Sequence, residues 1–171
     1  LAARFDGKGS HLALADEGNR DFDFTNGDGL TVEAWVKLDG ELPGRIMYVI
    51  GKGRSNAKGF ARDNQNWSLR VIPRGGIARI SFLFASKPGP GPGTGHWHIW
   101  NSTAGFGSAT GWHHIALAYR FGEPGSIRGW VDGQLTRGTW GLGGATTDAP
   151  VVDDDGVFIG ASQGGSTSNS L

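Results

Sequence analysis

Residues 96–101, read HWHIWN, combine imidazole and indole side chains in a pattern that suits sugar recognition. In a strand, alternation places His96, His98 and Trp100 on one face and the two apolar residues between them on the other. Indole faces stack on the C–H faces of sugars, while imidazole groups meet their hydroxyls. We expect these three side chains to line an outer face or groove, with Trp140 as a second candidate. The alternative is an ordinary amphipathic strand whose aromatic side chains pack in the core.

Basic residues are unevenly distributed although the net charge is zero. The middle of the chain, residues 45–122, carries ten Lys and Arg against one acidic residue, whereas the parts before and after it carry four against nine and two against six. This distribution favours a basic face for an anionic glycan, built with Arg70, Arg74 and Arg79. The alternative is that strands from the three parts interleave and their charges mix. A nucleic-acid partner is not expected, because the overall balance is not basic.

Two groups of oxygen ligands are candidates for calcium. Asp6 can combine with Asp28 of a glycine-rich turn, and Asp153 and Asp155 belong to a run of three aspartates. Calcium prefers such carboxylate and carbonyl oxygens. The aspartate run does not have the spacing of an EF-hand loop, so a solvated acidic turn is the competing interpretation. No cofactor is required by any motif.

Histidines offer a weaker alternative, a transition-metal site. His96 and His98 can share a metal with His113 or His114, since imidazole suits zinc, copper and nickel. No acidic ligand sits beside them in the sequence, and the chain has no cysteine to supply a thiolate.

Catalysis is not expected. Glycosidases need two carboxylates that flank the scissile bond, and the four glutamates, Glu17, Glu33, Glu41 and Glu123, are widely scattered. No nucleophile elbow for a serine hydrolase is present. Two tyrosines give little support to lyase chemistry by tyrosine and histidine.

Short strands joined by turns must position all of these residues. The chain has 31 Gly and 7 Pro in 171 residues, which is typical of many turns rather than long helices. Residues 30–38 alternate apolar and polar side chains, as a half-buried antiparallel strand does. Asp132-Gly133 between two strand-like runs predicts a hairpin with a type I′ turn.

About ten such strands without a helix predict a single all-β domain, a two-sheet antiparallel β-sandwich or jelly roll. We expect the first strand at residues 4–6, exposed loops at 54–66 and 87–95, a loop at 138–152, and a flexible tail at 164–171. No apolar run is long enough to span a membrane.

Six motifs follow one another in a known order: Phe5-Asp6-Gly7, Leu30 to Val36, Val49-Ile50-Gly51-Lys52-Gly53, Gly111 to Ala116, Trp130-Val131-Asp132-Gly133 and Phe158-Ile159-Gly160. With them the chain resembles the concanavalin A-like lectin/glucanase superfamily, in its laminin G-like branch. The resemblance implies a jelly roll in a larger extracellular, periplasmic or cell-envelope protein, with carbohydrate or protein partners and often a structural calcium. It also places Trp35, Trp112 and Trp130 in the framework, where we expect them to be core.

Two departures from the family pattern bear on function. The glucanase branch carries its catalytic carboxylates as Glu-x-Asp-x-(x-)Glu on one strand, and no glutamate here has that spacing. Members normally finish with a strand, bearing an acidic residue, that closes the sheet near the first strand, whereas a Ser/Gly-rich segment follows Gly160 here. We therefore expect an unpaired edge beside the N-terminal strand. The departure also weakens the expectation of a family-type calcium site, because that site uses the acidic residue of the closing strand.

The sequence thus predicts a non-catalytic carbohydrate-binding or surface-docking module of a larger secreted or envelope protein. The alternative is a structural or protein–protein interaction domain without a sugar site. An inactive glucanase-like relic or an unusual lyase is the third hypothesis.

Overall fold

The computed structural model describes residues 1–16, 20–54, 65–86, 96–162 and 170–171. Among them are eleven strands and one short 3₁₀ helix at Pro124–Ser126. The strands are β1 (Leu12–Leu14), β2 (Gly29–Lys37), β3 (Met47–Gly53), β4 (Gln65–Arg74), β5 (Ile77–Ala85), β6 (Trp97–Phe106), β7 (Trp112–Arg120), β8 (Arg128–Val131), β9 (Gln134–Thr136), β10 (Gly138–Trp140) and β11 (Val157–Ile159).

These strands form two antiparallel sheets packed face to face. The larger sheet has seven strands in the order β1-β11-β3-β4-β5-β6-β10, and the smaller has four in the order β2-β7-β8-β9. The prediction of an all-β, two-sheet antiparallel sandwich is confirmed. No helix of the described residues has the length and apolar character needed to cross a membrane.

The smaller sheet follows the sequence pattern closely. β2 and β7 pair over nine residues, from Gly29 opposite Arg120 to Lys37 opposite Trp112. The turn between β8 and β9 consists of Asp132 and Gly133, with φ of 50° and 77°. Both values fit a type I′ turn, which needs positive φ at its two central residues, so the predicted hairpin is confirmed.

The core between the sheets is built around aromatic rings. Phe82 and Phe84 of β5 meet Tyr119 of β7 and the adjacent Phe121, with ring centroids 5.1 to 6.3 Å apart. Each such ring buries a large apolar area, so this cluster contributes much of the driving force for packing the two sheets.

The seven-stranded sheet is also covered on its other face. Leu83, Ala85 and Trp97 form a second buried cluster there, against Ile99 and Val151. The Val151 N–H donates to the Ala85 carbonyl at 2.8 Å, which holds the loop before β11 against this face. As a result, the middle of this sheet is buried on both sides.

One end of the sandwich contains a buried group of three charges. Lys52 of β3 is fully buried and forms ion pairs with Asp16 and Asp23. Burial lowers the pKa of Lys52, but the hydrogen bonds and charges of the two carboxylates outweigh it and hold that pKa above its ordinary value. The group fixes the segment before β2 against the large sheet.

Several sequence-based boundaries need correction. Residues 4–6 do not form a strand, and residues 138–140, expected in a loop, form β10 against β6. Gln65 and Asn66, also expected in a loop, begin β4, whereas residues 55–64 and 87–95 and most of the predicted tail lie outside the described residues.

β1 lies at one edge of the large sheet, so the edge strand nearest the N-terminus comprises residues 12–14 and not 4–6. No strand follows β11 in the described part of the chain. Instead, the Leu171 N–H donates to the Gly160 carbonyl at 2.7 Å, and its carbonyl accepts from the Gly7 N–H at 3.1 Å.

Candidate functional site

A row of polar side chains crosses the face of the large sheet that points away from the core. Tyr48, Arg70, Ser81 and Asn101 are direct cross-strand partners on β3, β4, β5 and β6. Their sequence neighbours on these strands include Met47, Leu69, Val71, Ile80, Phe82 and Trp100, all of the core cluster. Alternation therefore places the four polar residues, called the polar row below, on the outer face.

This outer face has hydrogen-bonding capacity that the protein does not use. Six of its buried side-chain atoms have no hydrogen-bond partner among the described residues: Asn66 Oδ1, Ser68 Oγ, Arg70 Nε, Arg79 Nε, Trp97 Nε1 and Asn101 Oδ1. In native proteins most buried polar side-chain atoms are hydrogen-bonded, so each exception calls for an explanation. A group of them on one face makes it a candidate surface for a polar ligand.

Arg70 is the most unusual member of the polar row. It is only 3% exposed, and its Nη2 donates to Ser81 Oγ at 2.7 Å. No carboxylate of the described residues pairs with it. Burial lowers the pKa of the Arg70 guanidinium, and the charge of the nearby Arg54 lowers it further. Because a buried cation without a counter-ion is costly, this position favours an anion.

A second arginine strengthens the positive potential at this place. The Arg54 guanidinium lies 5.7 Å from the Tyr48 ring centroid and 5.3 Å from that of Trp97. Arg70 also lies 5.7 Å from the Tyr48 ring. Arg54 Nη1 donates to the Tyr48 hydroxyl at 2.9 Å, which in turn donates to Gln65 Oε1 at 2.9 Å. Tyr48 thus orients two guanidinium groups on one face.

Two further arginines singled out in the sequence share this face. Arg79 precedes Ser81 by two residues on β5 and is half-buried, and Arg74 is exposed at the end of β4. Asn101 is half-buried as well. Tyr48, Arg70 and Ser81 of the polar row are buried, and the row reaches solvent on the side of the half-buried Arg79 and Asn101.

The prediction that His98 and Trp100 line an outer face of β6 is wrong. His98 and Trp100 are each 3% exposed and face the core. The His98 imidazole lies 5.1 Å from the Phe84 ring and makes hydrogen bonds with Ser86 Oγ and the Gly144 carbonyl, both at 3.0 Å. The interpretation fails because both faces of β6 are buried. His96, just before β6, is half-buried.

Trp140 lies directly opposite Trp100 in the register of β10 and β6. It is half-buried, and its Nε1 donates to the Pro124 carbonyl at 3.2 Å. Both indoles line a cleft of about 530 Å³ at the open edge of the sandwich, together with Arg128 and Arg137. The two arginines carried no sequence signal, because each stands alone in its segment.

Two tryptophans assigned to the core are instead on the surface. Trp35 is 66% exposed and Trp112 is 50% exposed, whereas Trp130 is half-buried. The family resemblance predicted a core position for both because they occupy framework positions. The alternation of residues 30–38 already placed Trp35 on the polar face and is the signal that could have corrected it.

The metal candidates are not brought together. Asp6 and Asp28 each accept a hydrogen bond from a backbone N–H at 2.8 Å within their own turns. This hydrogen bonding lowers the pKa of Asp6. Asp153 accepts a hydrogen bond from the backbone N–H of Asp155 at 3.2 Å. In the parts of the chain that the structure describes, no three His, Cys, Asp or Glu side chains gather as a ligand group. A structural calcium stays a prediction.

The histidine hypothesis fails on placement. His98 belongs to the large sheet, whereas His113 and His114 lie on β7 of the small sheet. His113 Nδ1 is 2.8 Å from Asp132 Oδ2, and its Nε2 is 2.7 Å from Thr110 Oγ1. The histidines expected to share a metal therefore lie on different sheets, and the His113 imidazole already has two protein partners.

No pair of carboxylates from the described residues lies on the polar row. Asp16 and Asp23 do come close together, but both pair with Lys52 and are largely buried. Glu33 lies beside His114 on the small sheet, and Glu123 lies beside Arg120. None of these carboxylates is placed to act as acid or nucleophile on a ligand at the polar row.

Comparison with known proteins places the chain among lectin-like folds. A laminin G-type family model described as Concanavalin A-like lectin/glucanases superfamily matches residues 6–170. The chain is similar to the CBM40 of the Ruminococcus gnavus IT-sialidase, solved bound to α2,6-sialyllactose, with 16% identity and a TM-score of 0.64 over 95% of this chain and 80% of that one. An alginate lyase from Pseudomonas aeruginosa is also similar, with 16% identity and a TM-score of 0.43 over 88% and 70%. No curated protein sequence matches. At these identities the likeness shows the fold.

Proposed function

The chain belongs to the Concanavalin A-like lectin/glucanases superfamily, and from this premise we propose that it is a non-catalytic carbohydrate-binding module whose polar row binds an acidic glycan. The observation that carries the proposal is the burial of Arg70 with no carboxylate partner among the described residues. A sugar carboxylate seated against Arg70 would supply the counter-ion, and charge-assisted bonds between guanidinium and carboxylate are the strong ones.

The surroundings of Arg70 suit a sugar more than a simple anion. Asn101, Ser68 and the Trp97 indole N–H have unused hydrogen-bonding atoms within the same face. Sugar hydroxyls both donate and accept, so they can satisfy amide, hydroxyl and indole groups together. The similar CBM40 was solved with sialyllactose, a glycan that carries a carboxylate, and this supports the choice of ligand class.

The described residues bring no pair of carboxylates to the row, and this supports binding rather than hydrolysis. We further propose that the module belongs to a larger secreted, periplasmic or envelope protein and docks it on glycan-bearing surfaces. The second candidate, a protein-interaction domain without a sugar site, is favoured by the exposed tryptophans of the small sheet but gives Arg70 no role.

The test is titration calorimetry with sialyllactose and oligogalacturonate as acidic probes and lactose as the neutral one. We expect the acidic probes to bind to the polar row and lactose not to bind there. Arg70→Met should weaken acidic binding by about 10- to 100-fold, since a hydrogen bond to a charged group contributes about 1.5–3 kcal/mol. The same change should leave the melting temperature unchanged or raise it, because it removes an uncompensated buried charge.

The matched control is Arg128→Met, which removes an exposed arginine of the small sheet. It should bind the acidic probes as the unmodified protein does. Equal affinity for sialyllactose and lactose, or an Arg70→Met variant that binds both acidic probes at full strength, would contradict the proposal.

A further inference from the structure

The outer face of the small sheet exposes unusually large apolar side chains. Trp35 is 66% exposed and Trp112 is 50% exposed, and Leu135 of β9 is 63% exposed. Tryptophan is highly buried on average in soluble proteins. Two indoles exposed to this extent on one sheet face therefore mark a contact surface rather than incidental exposure.

The strand register arranges these side chains in a stripe. Trp35 is opposite His114 and Lys37 is opposite Trp112, so the two indoles are diagonal neighbours about 7–8 Å apart. Trp130 on β8 pairs with Ala116 of β7 on the same face. From strand spacing and rise, Trp130 lies about 12 Å from Trp35. Trp35, Trp112 and Trp130 are called the tryptophan stripe below.

Polar groups of both signs lie side by side around the stripe. His114 Nε2 lies 3.3 Å from a Glu33 carboxylate oxygen, and Lys37 Nζ lies 3.2 Å from Asp39 Oδ1. The face therefore presents little net field to an ionic partner. What it offers is indole surface with paired polar groups at its edge, which complements an uncharged ligand having apolar C–H faces and many hydroxyls.

A cleft adjoins one end of the stripe. Trp35 and Trp112 line it together with the N-terminal residues 2–7, and its volume is about 790 Å³. Within the cleft the Arg45 guanidinium donates to the Gly7 carbonyl at 2.9 Å. A chain-like ligand lying along the stripe can thus extend from an open sheet face into a concave end, which is the shape that ligand sites usually have.

We propose that the tryptophan stripe is a second glycan site, separate from the polar row, and that it takes a neutral oligosaccharide chain. The two sites face opposite sides of the sandwich and differ in charge. Arg70 and its neighbours suit a carboxylate, whereas the stripe suits stacking of uncharged sugar rings on indole. The proposal does not depend on the acidic-glycan function, because no residue is shared between the two faces.

The test is fluorescence titration with cellohexaose, xylohexaose and laminarihexaose, followed by calorimetry with whichever probe changes tryptophan emission. At least one probe should bind, and Trp35→Ala should weaken that binding at least about tenfold, as truncation of a central aromatic anchor does. Trp35→Ala with Trp112→Ala should abolish it. Trp35→Tyr should retain most of the affinity, because a stacking ring remains.

Controls separate this site from the polar row and from loss of folding. Arg70→Met should bind the neutral probe at full strength, and the double variant should keep its affinity for sialyllactose if that binding exists. The melting temperature should change little, because both indoles are largely in solvent. The proposal is overturned if none of the three probes binds, or if the double variant binds as well as the unmodified chain. It is also overturned if the variant only converts a dimer to a monomer, since the face is then a contact between protein copies.

Discussion

Two buried cations in this protein have opposite surroundings. Lys52 is fully buried and pairs with two carboxylates, so its charge is compensated within the fold. Arg70 is almost as buried, but its neighbours among the described residues are Ser81, the Tyr48 ring and a second cation, Arg54, with no carboxylate. Burying an unpaired ion costs on the order of several kcal/mol. The paired Lys52 is therefore suited to stabilising the fold, whereas Arg70 is suited to binding an anionic ligand.

Tyr119 allows a test of the core at the scale of one hydroxyl group. Its ring packs in the aromatic cluster, its hydroxyl has no partner among the described residues, and burial raises its pKa to about 12. The unfolded chain ionises near pH 10, so the contribution of this group to stability is full below pH 10. It is lost as the pH rises from about 10 to about 12, by roughly 3 kcal/mol.

Tyr119→Phe should therefore leave stability at pH 7 unchanged or slightly higher, because it removes an unsatisfied buried hydroxyl. Between pH 10 and 12 the variant should lose less stability than the unmodified protein. Urea unfolding at a series of pH values measures both effects. Parallel curves for the two proteins above pH 10 would show that Tyr119 does not titrate in this way.

Residue placement was predictable only where one face of a strand meets solvent. In β2 the alternation correctly separates Leu30 and Val36 from Thr31 and Trp35. In β6 the same alternation correctly groups His98 with Trp100, but it cannot say which group faces the core, because Trp97 on the other side is buried too. Arg70 was selected for its charge; its burial could not be read from the sequence.

At the scale of elements, Trp100 joins the two sheets at the open edge of the sandwich. Its ring lies over Gly138 of β10, where an added Cβ would come within 2.1 Å of the indole, and against Gly129 of β8, where the distance would be 2.8 Å. Both glycines leave room for the indole. The structural role of Trp100 therefore depends on residues from two other strands, which no local pattern reveals.

We expect Gly138→Ala to destabilise the protein by about 1–3 kcal/mol, the usual effect of overpacking a buried contact. Gly29→Ala at the start of β2 is the matched control, since nothing lies within 4 Å of its added Cβ. Thermal or urea unfolding of the two variants decides the matter. If Gly138→Ala is as stable as Gly29→Ala, Trp100 is not held between these strands.

Elements with strong local signals were predicted well. The alternation of β2 and the Asp132-Gly133 turn both appear as expected. β10 was missed because its three residues, Gly138–Trp140, have no alternation and form a strand only through pairing with β6. The N-terminal residues 4–6 show the reverse, since their strand-like sequence finds no partner strand in the described structure.

In the whole molecule, the basic middle of the chain contributes several arginines to one face of the sandwich. Arg54, Arg70, Arg74 and Arg79 come from the basic middle of the chain and lie on or beside the outer face of the large sheet. The tryptophan stripe lies on the opposite sheet, where acidic and basic side chains lie side by side. The account therefore assigns two binding faces of different chemistry to one sandwich, and each can be removed without touching the other.

The central claim is that Arg70 holds the acidic group of a glycan, and the most direct measurement is an NMR titration of ¹⁵N-labelled protein. The Arg70 Nε–H signal is assigned by its loss in Arg70→Met, and sialyllactose is then compared with lactose. The account predicts that sialyllactose shifts the Arg70 Nε–H and Trp97 indole N–H signals and that lactose does not. Sialyllactose that leaves both signals in place, or shifts only signals of the small sheet, would contradict it.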